Sequence, residues 1–217
     1  MAKSFVPSLK RLVRKLLFLP IVVAYKSSGN KSVIDEDIAR WYGEHGMKLI
    51  SSEDALTKLM LNRTFRTVLY FRLPELPSWV KKIYKADSSF FISPSCEIEG
   101  GLYFWHPLST YLYAKHIGKN CTIRQLTTFG NLGKKNPQAR PYIGDNVDVG
   151  VNVTIIGDVK VGNNVCIGAG AVITKDIPDN CNVVGNPAYI VRRNGVKCHE
   201  SYSQQFVFIN IPDNAQN

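Results

Sequence analysis

A six-residue rhythm of aliphatic side chains constrains the fold of this chain more than any other feature. From residue 143 to residue 173 an aliphatic residue recurs at every sixth position, and a second small or branched residue stands two positions before most of them. The recurring residues are Ile143, Val149, Ile155, Val161, Ile167 and Ile173, and their partners are Val147, Val153, Val159, Val165 and Ala171. An α-helix repeats every 3.6 residues and a strand every two, so neither uses a strict period of six. Each pair therefore predicts a very short strand with one buried face.

The segments between these pairs predict tight corners. They end in Asn152, Asp158, Asn164 and Gly170, and these residue types tolerate a positive φ. Three short strands and three corners make a triangular coil, and stacked coils share one continuous apolar interior. The repeat thus predicts a mainly β protein, a parallel β-helix.

The same rhythm extends upstream of the clear repeats. Two further sets of apolar residues follow it, offset from each other by a one-residue slip. They are Ile92, Ile98 and Phe104 with partners Cys96 and Leu102, and Ile117, Ile123 and Phe129 with partners Cys121 and Thr127. Cys96 and Cys121 occupy inward positions, so we interpret them as core packing rather than chemistry.

The rhythm also divides the chain. Residues 89–193 are predicted to form the β-helix, preceded by a helical region over 31–88 and followed by a tail, 194–217, with little pattern. Inside the β-helix, residues 130–140 lack the core pattern, which predicts an extruded loop. Loops on a rigid scaffold often carry function.

Residues 1–30 combine basic and apolar side chains. Five cations, Lys3, Lys10, Arg11, Arg14 and Lys15, precede a short apolar run that Pro20 interrupts. The run is too short to span a bilayer and lacks a small-residue cleavage site. Two interpretations remain open: a basic amphipathic helix resting on a membrane surface, or a helix packed on the chain's own second domain.

Composition narrows the function classes. The chain has 27 Lys and Arg against 17 Asp and Glu, a formal charge of +10, which favours anionic partners such as a membrane surface or the phosphates of a coenzyme. Nucleic acid is also an anionic partner, but the sequence contains no recognisable nucleic-acid-binding motif. The five cysteines are odd in number, scattered and without a CxxC pair, so we expect no disulfide framework, no metal site and a cytoplasmic location.

Three segments resemble the hexapeptide-repeat acyltransferases, in their serine acetyltransferase-like branch. They are Gly144–Val147, Ile167–Ile173 and the closing Val184–Ala188, and the similarity covers roughly residues 90–193. The resemblance implies a left-handed coil and dependence on acetyl-CoA.

The resemblance also implies a catalytic histidine. In that branch the general base follows a strand that begins with glycine, and Gly101-Leu102-Tyr103-Phe104-Trp105-His106-Pro107 matches this place. His106 is therefore the candidate base, which takes the proton of the acceptor hydroxyl during direct attack on the thioester. Glu97, Glu99 or a backbone carbonyl is left open as the group that orients it.

Departures from the serine acetyltransferase pattern predict another acceptor. Trp105 replaces the aspartate that precedes the base, Phe91 replaces a second aspartate, and Arg140 stands where a second histidine is usual. An aromatic ring suits stacking on a sugar, so Trp105 and Arg140 are the expected substrate residues. We therefore expect an O-acetyltransferase for capsular or other surface polysaccharide units, with serine O-acetyltransferase as the alternative.

The resemblance further implies where coenzyme A lies and how the protein assembles. Backbone near Gly150 and Gly168 is expected to contact the pantetheine arm, and Lys175, Arg192 and Arg193 to bind phosphates. Members trimerise and build each site between neighbours, so a homotrimer is expected. It would be cytoplasmic, with peripheral contact at the inner face of the cell membrane if the N-terminal segment binds lipid.

Two rival classes have less in their favour. A β-helix carbonic anhydrase needs three zinc histidines, and the repeat region offers only His106 and His116, ten positions apart. A non-catalytic membrane-associated scaffold has no motif of its own.

Overall fold

A computed structural model describes residues 2–48, 51–133 and 136–201 of the chain. The first part is helical. Its elements are α1 (Ala2–Leu17), α2 (Leu19–Ser27), α3 (Lys31–Glu44), α4 (Ser52–Leu59), α5 (Arg63–Arg72) and α6 (Ser78–Ile83). Apolar residues keep a helix-like spacing throughout 53–73, but the structure has two helices, α4 and α5, there. The break exists because Asn62 caps α5, accepting a hydrogen bond from the Phe65 N–H at 3.1 Å.

The second part is a parallel β-helix with three faces, which confirms the predicted fold class. Face 1 comprises β1 (Phe91–Ile92), β4 (Tyr111–Leu112), β7 (Thr128–Gly130), β10 (Thr154–Ile156) and β13 (Val172–Ile173). Face 2 comprises β2 (Glu97–Ile98), β5 (His116–Ile117), β8 (Tyr142–Ile143) and β11 (Lys160–Val161). Face 3 comprises β3 (Tyr103–Trp105), β6 (Thr122–Arg124), β9 (Asp148–Val149), β12 (Cys166–Ile167) and β14 (Cys181–Val184), and two antiparallel strands, β15 (Tyr189–Arg193) and β16 (Val196–Ser201), extend it.

The predicted inward residues form the core of this prism. All eleven residues of the clear repeats are buried, and so are Cys96, Cys121 and Thr127 from the upstream sets. Burial raises the pKa of the Cys121 thiol to about 12, which keeps that thiol protonated and inert. Packing therefore accounts for these two cysteines.

Three of the four predicted corner residues adopt a positive φ: Asn152 at 57°, Asn164 at 54° and Gly170 at 72°. At the remaining corner Gly157, with a φ of 99°, takes this conformation instead of Asp158. Glycine has no Cβ to clash in the left-handed region, so a positive φ costs less at Gly157 than at Asp158.

A ladder of asparagines closes the edge between faces 2 and 3. Asn120, Asn146, Asn164 and Asn180 all have a φ of 54° to 57° and stack one above another. The side-chain amide of each donates to the amide oxygen of the next, at 3.4, 3.1 and 3.0 Å in turn. The ladder fixes the register of successive coils on this edge.

A buried ion pair joins the helices to the first coil. The Nε atom of Arg72 in α5 lies 2.9 Å from the Oδ2 atom of Asp37 in α3. The Oδ1 atom of Asp37 accepts hydrogen bonds from the N–H groups of Gly101 and Leu102 at 2.8 and 3.0 Å. Arg72 donates to the carbonyls of Ile98 and Glu99. Burial raises the pKa of Asp37, an effect that Arg72 and the two N–H donors oppose. Helices α3 and α5 thereby grip the segment that leads into β3.

Helix α1 packs on the chain's own helical region, which is one of the two sequence interpretations, and its basic side faces α4. Two of its cations face the protein: Arg11 pairs with Asp54 of α4, and Lys15 pairs with Glu53 at 2.9 Å and Asp54 at 3.2 Å. Its leucines face outward instead. Among the described residues, no helix has both the length and the apolar character needed to cross a membrane.

The C-terminal segment is only partly described. Strand β16 lies within the tail 194–217, where the sequence offers little pattern, and pairs with β15 in an antiparallel hairpin. Residues 202–217 of that tail lie outside the described residues.

Candidate active site

His106 lies on the edge between faces 3 and 1, directly after β3. Its ring is exposed, and its φ of 47° is unusual for a residue that is not glycine. Pro107 follows it and restricts its backbone further. Strained conformations of this kind persist where the surrounding structure enforces them, and they cluster at functional sites.

An insertion in the first coil pushes His106 outward. Trp105 pairs with Arg124 and Tyr111 pairs with Thr128, so five residues of the first coil occupy the corner that three residues occupy in the second. The next corner along the chain compensates, since core residues Leu112 and Ile117 are only five positions apart. The one-residue slip in the sequence rhythm is thus a gain of two residues at His106 and a loss of one afterwards.

Trp105 packs against its neighbours in the same segment. Its ring lies edge-on to Tyr103 at 6.3 Å and to His106 at 6.1 Å, and 44% of its surface is exposed. The indole therefore lies next to the His106 ring and is partly exposed to solvent.

Arg124, which sequence reasoning did not single out, lies beside Trp105. It is the register partner of Trp105 in the neighbouring strand, forms an ion pair with Asp148, and donates to the Val149 carbonyl at 3.1 Å. Asp148 also lines a shallow polar depression of about 310 Å³ on face 3, together with Arg40 and Thr122. The only sequence signal was a cation at an outward position one coil after the histidine segment.

Arg140 lies on a different edge, between faces 1 and 2. Its guanidinium donates to the Ser95 hydroxyl at 2.9 Å and stacks 4.9 Å from the Tyr113 ring. Face 1 separates it from His106, so one protomer does not bring these two predicted residues together. Of the predicted loop 130–140, Gly130 ends β7, while Lys134 and Lys135 lie outside the described residues.

The predicted coenzyme residues divide between three places. Gly150 and Gly168 lie on the His106 edge, two and three coils further along the prism. Lys175 lies on the edge between faces 1 and 2, and Arg192 and Arg193 lie on β15. Arg193 pairs with Glu200 at 2.6 Å, and Arg192 donates to the Gly195 carbonyl at 3.2 Å.

Coil stacking already accounts for the two glycines. A Cβ on Gly150 would lie 2.7 Å from the Ala169 nitrogen, and a Cβ on Gly168 would lie 2.8 Å from Val184.

Other histidines and acids have separate surroundings. His116 stacks on Tyr142 at 4.5 Å on face 2, and Glu99 lies 3.6 Å from its Nε2 atom, so Glu99 is placed with His116 rather than with His106. The Nδ1–H group of His45 donates a hydrogen bond to the Trp41 carbonyl at 2.7 Å. Within the described ranges, no three His, Cys, Asp or Glu side chains are grouped closely enough to hold a metal ion.

Comparison with known proteins points to one group of enzymes. The family model described as bacterial transferase hexapeptide (six repeats) matches residues 140–175. The chain is 29% identical over 154 residues to the serine acetyltransferase of Synechococcus elongatus. The aligned region covers 70% of this chain and 63% of that protein. It is 30% identical over 135 residues to the serine acetyltransferase of Staphylococcus aureus, covering 62% of each. The chain therefore spans a little under two thirds of these relatives.

Solved structures show the same fold. The soybean serine acetyltransferase apoenzyme superimposes with a TM-score of 0.61 at 26% identity, covering 77% of this chain and 72% of that one. The serine acetyltransferase of Neisseria gonorrhoeae gives a TM-score of 0.61 at 24% identity, covering 81% and 70%.

The prediction of a saccharide acceptor is wrong in the light of these relatives, which favour the alternative, serine. That prediction gave decisive weight to Trp105 in place of an aspartate. The structure shows a charged pair, Arg124 and Asp148, beside Trp105, so the loss of one carboxylate does not leave this part of face 3 without charge.

Proposed function

Because the chain belongs to the hexapeptide-repeat acyltransferases, in the branch that contains the serine acetyltransferases, we propose that it transfers an acetyl group from acetyl-CoA to the hydroxyl of serine. The placement of His106 carries the proposal. This residue is exposed, has a φ of 47°, and occupies a corner that two extra residues widen relative to the next coil. It lies on the same edge as Gly150 and Gly168, and we place the extended thioester chain along this edge.

In the proposed mechanism the neutral imidazole of His106 accepts the hydroxyl proton while the serine oxygen attacks the thioester carbonyl. Backbone N–H groups of the His106 edge are the expected donors to the oxyanion that forms. Collapse of the tetrahedral intermediate breaks the carbon–sulfur bond, and the imidazolium returns its proton to the departing thiolate. A thiol with a pKa near 8.5 leaves readily, so deprotonation of the hydroxyl is the step that needs the base.

Recognition of serine requires a partner for its carboxylate and one for its ammonium group. Arg124 and Asp148 supply both charges, and Arg124 lies opposite Trp105, the residue that precedes His106. Neighbouring strands are about 4.8 Å apart, so the pair lies within the length of an amino acid from the corner. We place the serine carboxylate at Arg124 and the ammonium group at Asp148.

Replacing Arg124 is therefore expected to weaken serine binding selectively. Arg124→Ala should raise the KM for serine about 10- to 100-fold, because a hydrogen bond to a charged group contributes about 1.5–3 kcal/mol. The KM for acetyl-CoA should stay within about twofold of the wild-type value. Steady-state assays that vary each substrate in turn measure both constants.

Lys31→Ala is the matched control for this experiment. Lys31 pairs with Asp35 at 2.6 Å within α3, outside the β-helix, so its loss should leave the serine KM unchanged. An unchanged serine KM in Arg124→Ala would remove this pair from the acceptor site.

We further propose that the active form is a homotrimer with each site between neighbours. His106 and Arg140 lie on different edges of one prism, so a neighbouring protomer is the way for both to line one cleft. The same arrangement would let Lys175 of one protomer, or Arg192 and Arg193, approach coenzyme phosphates held along the His106 edge.

Release of free thiol from acetyl-CoA tests the proposed function directly. We expect release that depends on L-serine and a product with the mass of O-acetylserine. Acetyl-CoA should also raise the melting temperature, since a ligand that binds only the folded state stabilises it. Absence of both effects would favour a non-catalytic scaffold, and binding without serine turnover would refute serine as the acceptor.

A further inference from the structure

Helix α1 presents an apolar stripe to solvent. Leu9, Leu12, Val13, Leu16 and Leu17 are 45% to 64% exposed, and their spacing places them on one side of the helix. The opposite side holds Arg11 and Lys15, which are tied to α4 by ion pairs. The hydrogen bond to Glu53 raises the pKa of Lys15, and the ion pairs of both cations with α4 hold the stripe outward.

Helix α6 continues the apolar surface beside the end of α1. The Tyr84 hydroxyl, just after α6, donates to the Leu17 carbonyl at 2.6 Å, and its ring lies 5.0 Å from that of Phe18. Trp79 and Ile83 share one side of α6 and are 54% and 62% exposed. We call the stripe of α1 together with Trp79 and Ile83 the apolar patch. Clustered exposed apolar side chains mark interaction sites.

Lysines accompany the apolar patch. Lys10 of α1, Lys82 of α6 and Lys85 just beyond it are exposed, and none of the three forms an ion pair with another described residue. Leucines with a tryptophan and a fringe of lysines are the composition of surfaces that rest at a lipid–water interface. A second copy of the patch would bring the same uncompensated cations together, which disfavours self-association.

We propose that the apolar patch docks the protein on the surface of an anionic lipid bilayer. Leucine side chains enter the boundary between headgroups and acyl chains, Trp79 lies at the headgroup level, and the lysines contact anionic headgroups. All residues of the patch belong to the helical part of the chain, whereas His106 belongs to the β-helix. It is independent of which acceptor the enzyme uses.

Vesicle sedimentation tests the apolar contribution. The full chain should bind vesicles of phosphatidylcholine with phosphatidylglycerol, and bind pure phosphatidylcholine more weakly. The double variant Leu12→Gln/Leu16→Gln should partition at least about tenfold less, because two aliphatic insertions are lost. Leu61→Gln is the matched control: Leu61 is 64% exposed, as Leu16 is, but lies in the turn between α4 and α5.

The charge contribution has its own variant. Lys10→Glu/Lys82→Glu should reduce binding to the anionic vesicles at least about tenfold, because each cation near anionic lipid contributes a factor of about five. Lys197→Glu, on the distant hairpin, should not reduce it to that extent. Added salt should weaken wild-type binding in the same direction.

Three outcomes would overturn the proposal. The first is that the wild-type chain does not bind the anionic vesicles. The second is that the Leu12→Gln/Leu16→Gln variant binds them as strongly as the wild-type chain does. The third is that neither protein binds lipid and the variant sediments as a smaller particle than the wild-type chain in ultracentrifugation. The last result would assign the patch to contact between copies. All variants change exposed side chains, and a thermal melt shows whether each still folds.

Discussion

His106→Ala is expected to lower kcat for serine acetylation by at least about 100-fold while the protein stays folded. The physical reason is that loss of a general base costs about 10²- to 10⁴-fold, whereas an exposed corner side chain contributes little to folding. The thiol-release assay measures the loss in rate, and circular dichroism with a thermal melt measures the fold. Acetyl-CoA should still raise the melting temperature of the variant, because the imidazole acts on the acceptor hydroxyl.

His199→Ala serves as the control for the histidine substitution. His199 lies on β16 with its ring 4.6 Å from Tyr189, far from the corner of the first coil, so its loss should leave turnover near the wild-type rate. A rate within tenfold of wild type for His106→Ala would assign the base to another group.

Mixing two inactive variants tests whether neighbours share a site. Arg140→Ala should also reduce turnover if Arg140 contributes to the cleft of an adjacent protomer. Mixed trimers of His106→Ala and Arg140→Ala subunits contain at least one interface at which both residues are intact, so activity should return after the subunits are unfolded and refolded together. Failure to recover any activity would mean that Arg140 acts only within its own chain, through Ser95 and Tyr113.

The repeat made the β-helix predictable because its signal is local and redundant. Each coil buries the same kind of residue at the same place, so the pattern survives a slip of one residue in the first coils. The slip itself could not be assigned from sequence, since a gain of two and a loss of one give the same net offset. Only the register of Trp105 with Arg124 and of Tyr111 with Thr128 reveals that the gain lies at His106.

The remaining features depend on contacts between distant residues, which a single sequence does not display. The cations of α1 looked like a solvent or lipid face, but Asp54 and Glu53 turn Arg11 and Lys15 toward the protein. The same limit applies to the acceptor. Trp105 could be compared with the family pattern, whereas the charged pair beside it required the pairing of β3, β6 and β9.

The buried ion pair of Asp37 and Arg72, which joins the helices to the β-helix, is the second feature whose removal should have a large effect. Asp37 is 1% exposed and Arg72 is 4% exposed, and together they satisfy two N–H groups and two carbonyls of residues 98–102. The Trp41 indole N–H adds a hydrogen bond to the Leu102 carbonyl at 2.9 Å. This segment leads directly into β3, which carries Trp105 and ends at His106.

Asp37→Ala is therefore expected to lower the free energy of unfolding by about 3–5 kcal/mol, because it leaves the Arg72 guanidinium buried without its counter-ion. For a chain of this size the melting temperature should fall by roughly 6–20 °C. If the variant does not fold, Asp37→Asn keeps the shape and one acceptor and should show a smaller loss in the same direction.

Two comparisons test whether the buried pair of Asp37 and Arg72 contributes more to stability than an exposed ion pair does. Asp158→Ala breaks the exposed pair with Lys115 and should cost less than about 1 kcal/mol. The double variant Asp37→Ala/Arg72→Met should be no less stable than Asp37→Ala alone, because the second substitution removes the charge that the first leaves unpaired. Turnover by Asp37→Asn should fall more than its stability at assay temperature explains, since β3 positions His106. A melting temperature for Asp37→Ala equal to that of Asp158→Ala would show that the helical part does not hold the first coil through this pair.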